Sequence, residues 1–359
     1  MKIIFSGGGT LGPVTPLLAA AAAYKQAHPD AEFIWVGTKF GPERQVVEEA
    51  GLTFYPLNGG KWRRYLSLWN IVDIIKIIVG FFQAMIFIWY EKPDLLVSAG
   101  GFVSVPLHYA GSFLGIPTWV HQQDLRVGLA NKMMFSVATK ITAALEQTAK
   151  QLPAKKTEWI GNPSRELVCR NANQACTHFN IPAGSVVIFA VGGGTGSDVI
   201  NRMIVEALPS WPKDWHVIHL TGKERSSELA ERVANIFPNY HAYKFFTGEM
   251  ACAYALATVV VARAGFATLT ELAELSKPAI ILPMAGTHQE ENASYFAEHN
   301  GVIQFHETMD NGLKLAQVIK ELVQNENKRQ MLGNNLHELL PQTENAKIVA
   351  IIDDLIKKS

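Results

Sequence analysis

Three glycine-rich runs, residues 7–12, 99–104 and 192–197, each stand where an apolar strand signal gives way to a helical one. Glycine lets a backbone come close to a ligand, and the helix that follows offers unpaired N–H groups to negatively charged oxygen. One such run can be only a tight turn, whereas three facing one cleft would make an anion site. Gly7-x-Gly9-x-x-Gly12 also satisfies the dinucleotide spelling. That fingerprint needs an acidic residue near the end of the second strand to hold a ribose, and Ile34-Trp35-Val36-Gly37-Thr38-Lys39 supplies none, which argues against hydride transfer. No HExxH, paired-aspartate or cysteine cluster points to a metal. Helix N-termini alone can stabilise a diphosphate leaving group, and that is the chemistry these loops suggest.

The elements that must position the loops follow from hydrophobic patterning. Apolar, β-branched runs occur at Lys2–Ser6, Glu32–Gly37, 95–99, Thr118–Gln122 and 140–144, then at 186–191, 216–221, 258–262, 279–283 and 302–305. Between them lie helical stretches, so the expected architecture is α/β with parallel sheets. A chain of 359 residues exceeds what one core usually serves. The two halves open alike, Ile3-Ile4-Phe5-Ser6-Gly7-Gly8-Gly9-Thr10 against Val187-Ile188-Phe189-Ala190-Val191-Gly192-Gly193-Gly194-Thr195. The expectation is therefore two Rossmann-like domains, residues 1–163 and 164–340, facing an interdomain cleft, with a helix in residues 341–359 folding back on the first.

Lys plus Arg equals Asp plus Glu at 32 each, so no global field draws in nucleic acid. The three cysteines, Cys169, Cys176 and Cys252, have no zinc spacing and read as core thiols of a reducing compartment. The first residues run straight into glycines without a signal-peptide core, so a cytoplasmic protein is expected. Residues 66–90 are strongly apolar, yet the longest uncharged run, 77–90, falls short of the roughly 20 residues that span a bilayer. Asp73, Lys76, Gly80, Gln83 and Glu91 draw one narrow polar stripe along this helix. The rest must be covered by its own domain, a partner or lipid. Lys61-Trp62-Arg63-Arg64-Tyr65 precedes it, and cations with interfacial aromatics suit an anionic headgroup layer. Trp62, Arg63, Arg64, Phe81 and Phe82 are the candidate membrane contacts; a buried crossover helix beside an ordinary basic loop is the alternative.

Across nearly its whole length the chain resembles the MurG family. Gly8-Gly9-Thr10-Leu11-Gly12-Pro13-Val14-Thr15-Pro16 is similar to that family's GGTGGHxxP, and Gly100-Gly101-Phe102-Val103-Ser104-Val105-Pro106 to its GGYVSxP. His121-Gln122-Gln123-Asp124, with Gly128, Asn131 and Lys132, follows HEQNxxxGxxNK, and Gly161-Asn162-Pro163-Ser164-Arg165 follows GNPVR. Residues 192–197 stand for GGSQGA, Arg263-Ala264-Gly265-Phe266-Ala267-Thr268-Leu269-Thr270-Glu271 for RSGxxTxxE, and Gln289 with Asn292 for QxxNA.

The resemblance implies a GT-B fold and a peripheral enzyme at the cytoplasmic membrane face. Such an enzyme moves N-acetylglucosamine from UDP-N-acetylglucosamine to lipid I, a polyprenyl-diphosphate-linked acceptor, with inversion and without a cofactor, to make lipid II for peptidoglycan. It implies donor contacts at Arg165, Gly194, Thr195, Thr247, Phe266, Ala267, Thr268, Leu269, Thr270, Glu271, Gln289 and Asn292. Glu271 would accept from both ribose hydroxyls, or else serve only as a first-turn glutamate favoured by the helix dipole. Thr10, Leu11, Gly12, Gly100, Gly101, Ser104 and Asp124 would form the acceptor side. Where the family has histidine this chain has Pro13, which cannot act as a base; Leu11, Gln122, Asp124 and Gly194 are further departures. The candidates for the base become His121 and Asp124, with a packed core histidine and a helix cap as the respective alternatives. A transferase with another lipid acceptor, or a sugar-nucleotide-binding homologue with impaired catalysis, are the rival readings.

Overall fold

In a parallel sheet covered on both faces the strands are apolar throughout, and alternate side chains enter opposite layers. In the computed structural model Ile3, Ile4 and Phe5 are all fully buried, Ile3 and Phe5 in one core cluster and Ile4 in another. The structure describes the chain except residues 60–68, 166, 168–171, 195, 223–232, 234–235, 247 and 358–359. For residues 69–75 and 172–174 only the backbone is described. Trp62, Arg63, Arg64, Thr195 and Thr247 therefore lie outside the described residues or side chains, as does Cys169.

The chain divides into two compact units, Met1–Arg165 with Gln342–Ser359, and Glu166–Pro341. The first carries a seven-stranded sheet in the order β3-β2-β1-β4-β5-β6-β7. Its strands are β1 (Lys2–Ser6), β2 (Glu32–Gly37), β3 (Thr53–Pro56), β4 (Leu95–Ser98), β5 (Thr118–Gln122), β6 (Lys140–Ala143) and β7 (Thr157–Trp159). Every neighbouring pair is parallel. Helices α1 (Val14–Ala27), α2 (Glu43–Glu49), α3 (Trp69–Glu91), α4 (Ser104–Phe113), α5 (Leu129–Phe135) and α6 (Glu146–Ala149) lie between them in sequence.

The second unit has a six-stranded parallel sheet, β10-β9-β8-β11-β12-β13. These are β8 (Val187–Val191), β9 (His216–Leu220), β10 (Tyr240–Tyr243), β11 (Val259–Ala262), β12 (Ala279–Ile281) and β13 (Ile303–Gln304). Its described helices are α7 (Ala172–Phe179), α8 (Asp198–Ala207), α9 (Met250–Leu256), α10 (Phe266–Glu274), α11 (His288–Glu298), α12 (Gly312–Gln324) and α13 (Glu326–Leu339).

Both sheets reverse strand order beside their first strand, between β1 and β4 and between β8 and β11. Ligands of open α/β sheets bind outside the carboxyl ends of the strands at such a reversal. The glycine runs at residues 7–12 and 99–104 follow β1 and β4, and the glycine run at 192–197 and the motif at 263–271 follow β8 and β11, so the topology pairs them.

The last helix, α14 (Asn345–Lys357), belongs to the first unit and packs on α1. Ile348, Ile351, Ile352 and Leu355 enter the core beside Leu17, Ala21 and Tyr24, each worth roughly 1.5–3 kcal/mol if fully removed from water. Tyr24 Oη donates to Asp353 at 2.9 Å.

Helix α3 buries Gly80, Ala84, Phe87 and Ile88. A Cβ at Gly80 would lie 1.9 Å from the Asn58 carbonyl oxygen, and Asn58 Nδ2 donates to Gln83 Oε1 at 2.9 Å. Two members of the polar stripe thus face the protein's own loop. Ile78, Phe82, Ile86 and Trp89 point outward, Trp89 with 72% of its surface exposed, while Phe81 is half-buried. Among the described residues no helix is long and apolar enough to cross a membrane. Cys176 and Cys252 are free and half-buried, where the sequence predicts core thiols.

Candidate functional site

The first glycine loop is tied down from below. Trp35 Nε1 donates to the Gly7 carbonyl at 3.0 Å, and Gly7 N–H to Val36 O at 3.3 Å. Glu43, at the start of α2 and fully buried, accepts from Thr38 N–H at 2.7 Å and Gly9 N–H at 3.2 Å. Thr10, Leu11 and Gly12 form the exposed tip, and Pro13 precedes α1 with φ −69°. In the second loop Gly101 has φ +97°, and a Cβ there would lie 2.9 Å from both N and O of Gly8, so only glycine fits. Gly100 is buried beside it. Ser104 faces inward: its Oγ lies 2.9 Å from Ser6 Oγ and 3.2 Å from the Gly100 carbonyl it donates to.

The end of β5 supplies the remaining groups of this unit. His121 is buried, with Nδ1 2.8 Å from Thr142 Oγ1 and Nε2 2.9 Å from Asn162 Oδ1. Asn162 Oδ1 only accepts, so Nε2 carries the hydrogen and Thr142 donates to Nδ1, while Trp119 Nε1 donates to Thr142 Oγ1 at 2.8 Å. Burial pushes the imidazole down to about 4, against a raising contribution from Asn162, so the ring is neutral at pH 7 with both nitrogens engaged.

Gln122 Nε2 donates to the carbonyls of Asp124 (2.7 Å) and Arg126 (3.3 Å), and its Oε1 accepts from Asn131 Nδ2 at 2.6 Å. A glutamate here could not make those two donations. Gln123 Nε2 donates to Gly12 O at 3.2 Å, tying this turn to the first loop. Asp124 is half-buried in the turn. The next helix starts at Leu129 with Gly128 as N-cap and no side-chain cap, so Asp124 is not its cap. Gln123 Oε1 and Asn131 Oδ1 are buried acceptors without a partner among the described residues. Residue type alone did not single them out; an orphaned buried carbonyl is visible only in three dimensions.

In the second unit a Cβ at Gly192 would lie 2.4 Å from Ser197 N, and one at Gly196 2.2 Å from Thr221 O. Ser197 Oγ caps α8 by accepting from Ile200 N–H at 3.3 Å. Asn201 Nδ2 donates to Thr221 O at 3.1 Å, and its Oδ1 lies 2.9 Å from His219 Nε2, whose other nitrogen meets Tyr240 Oη at 2.7 Å. Gly194 is exposed at the loop tip, and Asp198 opens α8.

Helix α10 begins after Gly265. Phe266, Leu269 and Thr270 are buried, Thr270 Oγ1 donating to Phe266 O at 2.8 Å, whereas Ala267 and Thr268 are half-exposed in the first turn. Glu271 is the sixth residue of this helix, beyond the first turn, so a dipole-favoured first-turn place does not explain it. It is 6% exposed, and the buried Tyr254 donates to its Oε2 at 3.0 Å.

Arg263 Nη1 donates to the carbonyls of Leu282 (3.1 Å) and Pro283 (3.3 Å) and pairs with Glu307. It thereby anchors the segment leading to Gln289, whose Oε1 accepts from Met284 N–H at 3.1 Å. Asn292 is fully buried in α11, and Arg165 is exposed at the end of the first unit's main segment.

Residues 3–143 match the glycosyltransferase family 28 N-terminal domain, and residues 187–347 its C-terminal domain. The UDP-N-acetylglucosamine--N-acetylmuramyl-(pentapeptide) pyrophosphoryl-undecaprenol N-acetylglucosamine transferase of Lachnospira eligens is 35% identical over 325 residues, covering 89% of this chain and 90% of that one. The chain belongs to the MurG family. A transferase of the same description from Staphylococcus aureus is 34% identical over 344 residues, 93% of each chain.

Among solved structures, MurG of Acinetobacter baumannii has a TM-score of 0.78 at 22% identity, covering 98% of this chain and 99% of its own. A UDP-GlcNAc 2-epimerase from Neisseria meningitidis bound to UDP-GlcNAc scores 0.69 at 16% identity, covering 100% of both chains. Those likenesses concern the fold, two parallel-sheet units of the GT-B class. Membership of the MurG family makes the chain an enzyme, a glycosyltransferase.

Proposed function

We propose that this chain transfers N-acetylglucosamine from UDP-N-acetylglucosamine to a polyprenyl-diphosphate-linked N-acetylmuramyl peptide, lipid I, forming lipid II. The observation that carries the donor assignment is Glu271, a buried carboxylate oriented by Tyr254. It accepts from the ribose hydroxyls, while Ala267 and Thr268 frame the nucleoside at the first turn of α10. The loop containing Gly194 and Thr195 takes the diphosphate, with Arg165, Thr247 and Gln289 completing the donor side by resemblance, whereas Asn292, fully buried in α11, acts from within the fold and not on the donor. Backbone N–H groups at helix starts stabilise the departing UDP.

The acceptor belongs to the first unit, on the loops of residues 7–13 and 99–104. Thr10, Leu11 and Gly12 supply the exposed tip there. The acceptor oxygen attacks the anomeric carbon, the bond from that carbon to the diphosphate oxygen breaks, and UDP leaves with the electron pair. The hydroxyl proton passes to the Asp124 carboxylate. His121 is removed from this path, because both its nitrogens are engaged inside the fold; it holds the β5 end in place. Ser104 likewise acts from beneath, its hydroxyl bonded to Ser6 and Gly100.

The outward face of α3 meets the anionic cytoplasmic membrane surface. Ile78, Phe82, Ile86 and Trp89 form one exposed apolar strip, and Lys61, Arg63 and Arg64 just before the helix supply charge by sequence.

Product analysis with UDP-N-acetylglucosamine and a lipid I analogue tests the reading, with the expected products UDP and the disaccharide lipid. Transfer to diacylglycerol instead would assign another lipid acceptor. Donor binding without transfer to either would leave a binding homologue.

A further inference from the structure

Glu43 is fully buried, and among the described residues no cation pairs with it. Its three hydrogen-bond donors are all loop groups: Thr38 N–H and Thr38 O–H meet Oε1, and Gly9 N–H meets Oε2. A carboxylate without a counter-ion persists in a protein interior only where such bonds replace its water.

The surroundings are cut to fit it. A Cβ at Gly8 would lie 2.2 Å from Oε1, one at Gly41 would lie 1.9 Å from Oε2, and one at Gly37 would lie 3.3 Å from Cγ. None of these three glycines has a positive φ; at Gly8 the carboxylate excludes a side chain, and at Gly41 the carboxylate does so together with Thr38 Oγ1, 2.2 Å away. At Gly37 the excluding group is the Phe54 ring, 2.6 Å away. Gly8 in turn is the backbone on which Gly101 of the second loop rests. The carboxylate therefore underpins both loops at the β1/β4 reversal.

We propose that Glu43 is the positioning residue of the acceptor end: it fixes the first glycine loop, and through Gly8 the second, in the conformation that receives the acceptor's diphosphate. This rests on the assignment of the first unit to the acceptor. The Gly9 N–H is taken by Glu43, so the phosphate oxygens meet the exposed tip at Thr10 to Gly12 instead. Glutamine is the informative replacement, because its amide has one acceptor oxygen and must turn N–H toward either Thr38 N–H or Gly9 N–H.

The experiment uses the full chain with Glu43→Gln, Thr38→Val and Thr38→Ser, measuring three quantities. Hydrogen–deuterium exchange of residues 7–13 should accelerate roughly tenfold or more in Glu43→Gln, as for a lost charged hydrogen bond. KM for a lipid I analogue should rise by a similar factor of roughly ten, with kcat changed less and calorimetric UDP affinity within about twofold. Thr38→Val, which keeps the carboxylate, should move the same two readouts in the same direction, and Thr38→Ser should restore them.

Unchanged loop exchange in Glu43→Gln overturns the proposal. So does faster exchange with an unaltered acceptor KM, which would make Glu43 a stability residue only. If the wild-type chain binds UDP but transfers nothing to lipid I, the functional reading fails separately, and loop exchange still decides whether Glu43 holds the loops. Should Glu43→Gln not fold, Thr38→Val carries the same comparison.

Discussion

Replacing Glu271 with glutamine keeps the shape of the side chain and a residue of similar helix propensity, so the fold of α10 should persist. What changes is acceptor capacity. The carboxylate has two acceptor oxygens, and Oε2 already serves Tyr254 at 3.0 Å. Glutamine can keep one acceptor there only by presenting N–H to the ribose, where a hydroxyl needs an acceptor. Hydrogen bonds to charged groups contribute about 1.5–3 kcal/mol, so the variant should bind UDP roughly 10- to 150-fold more weakly. Isothermal titration with UDP and with its 2′-deoxy analogue makes the test specific. The wild-type chain should prefer UDP, and that preference should shrink in Glu271→Gln, because both changes remove members of one interaction. Tyr254→Phe should weaken UDP binding by less, about 0.5–1.5 kcal/mol, through lost orientation of a carboxylate that remains. Wild-type UDP affinity in Glu271→Gln, or an undiminished preference over the deoxy analogue, would refute the ribose assignment.

Asp124→Asn should lower turnover roughly 10²–10⁴-fold with UDP affinity nearly unchanged, and near-normal turnover of a lipid I analogue would remove Asp124 from the proton path. Serine at Phe82, Ile86 and Trp89 together should reduce sedimentation with anionic phosphatidylglycerol vesicles at both low and high salt, and equal sedimentation of variant and wild type would exclude this face as the membrane contact. Burial holds His108 down to about 3, His121 to about 4 and His219 to about 3. As pH falls below the unfolded value of about 6.5 the unfolded chain takes up protons that the native chain does not, so each histidine removes about 1.4 kcal/mol of stability per pH unit until its native value is reached. His108 makes no hydrogen bond with either ring nitrogen among the described residues, so His108→Leu should stabilise the chain about 2 kcal/mol more at pH 5 than at pH 7.5; identical gains in urea unfolding at both would show that His108 is not held neutral.

The central strands were legible because their residues are apolar on both faces. The three strands that sequence patterning missed, Thr53–Pro56, Thr157–Trp159 and Tyr240–Tyr243, are all sheet edges, half-buried or exposed, where no unbroken apolar run is needed. The glycine loops were legible too, since close backbone approach restricts residue type: Gly101 against Gly8 and Gly196 against Thr221 leave no room for a Cβ. What patterning could not supply was side-chain direction. Ser104 opens α4 and His121 lies near the end of β5, both beside the proposed site and with usable side-chain chemistry, yet both turn inward. Glu43 belongs to no motif, although it holds the loop that the motif describes.

The departures from the family pattern at Pro13, Gln122 and Asp124 make physical sense as one set. Pro13 has φ −69°, so it enters α1 without strain but brings no proton acceptor. Its loop is linked to the β5 turn through Gln123 and the Gly12 carbonyl, so a base on that turn stands on the same scaffold. Gln122 builds that turn by donating to the Asp124 and Arg126 carbonyls. A glutamate at 122 would forfeit both bonds and set a negative charge against the backbone of Asp124, raising the pKa of any carboxyl beside it. The neutral amide avoids that repulsion, leaving the turn able to carry one carboxylate at 124. On the proposed proton path through Asp124, the loss of histidine at 13, the amide at 122 and the acid at 124 go together, and Gln122→Glu should lower turnover of a lipid I analogue with UDP affinity unchanged; unaltered turnover would separate Gln122 from that path.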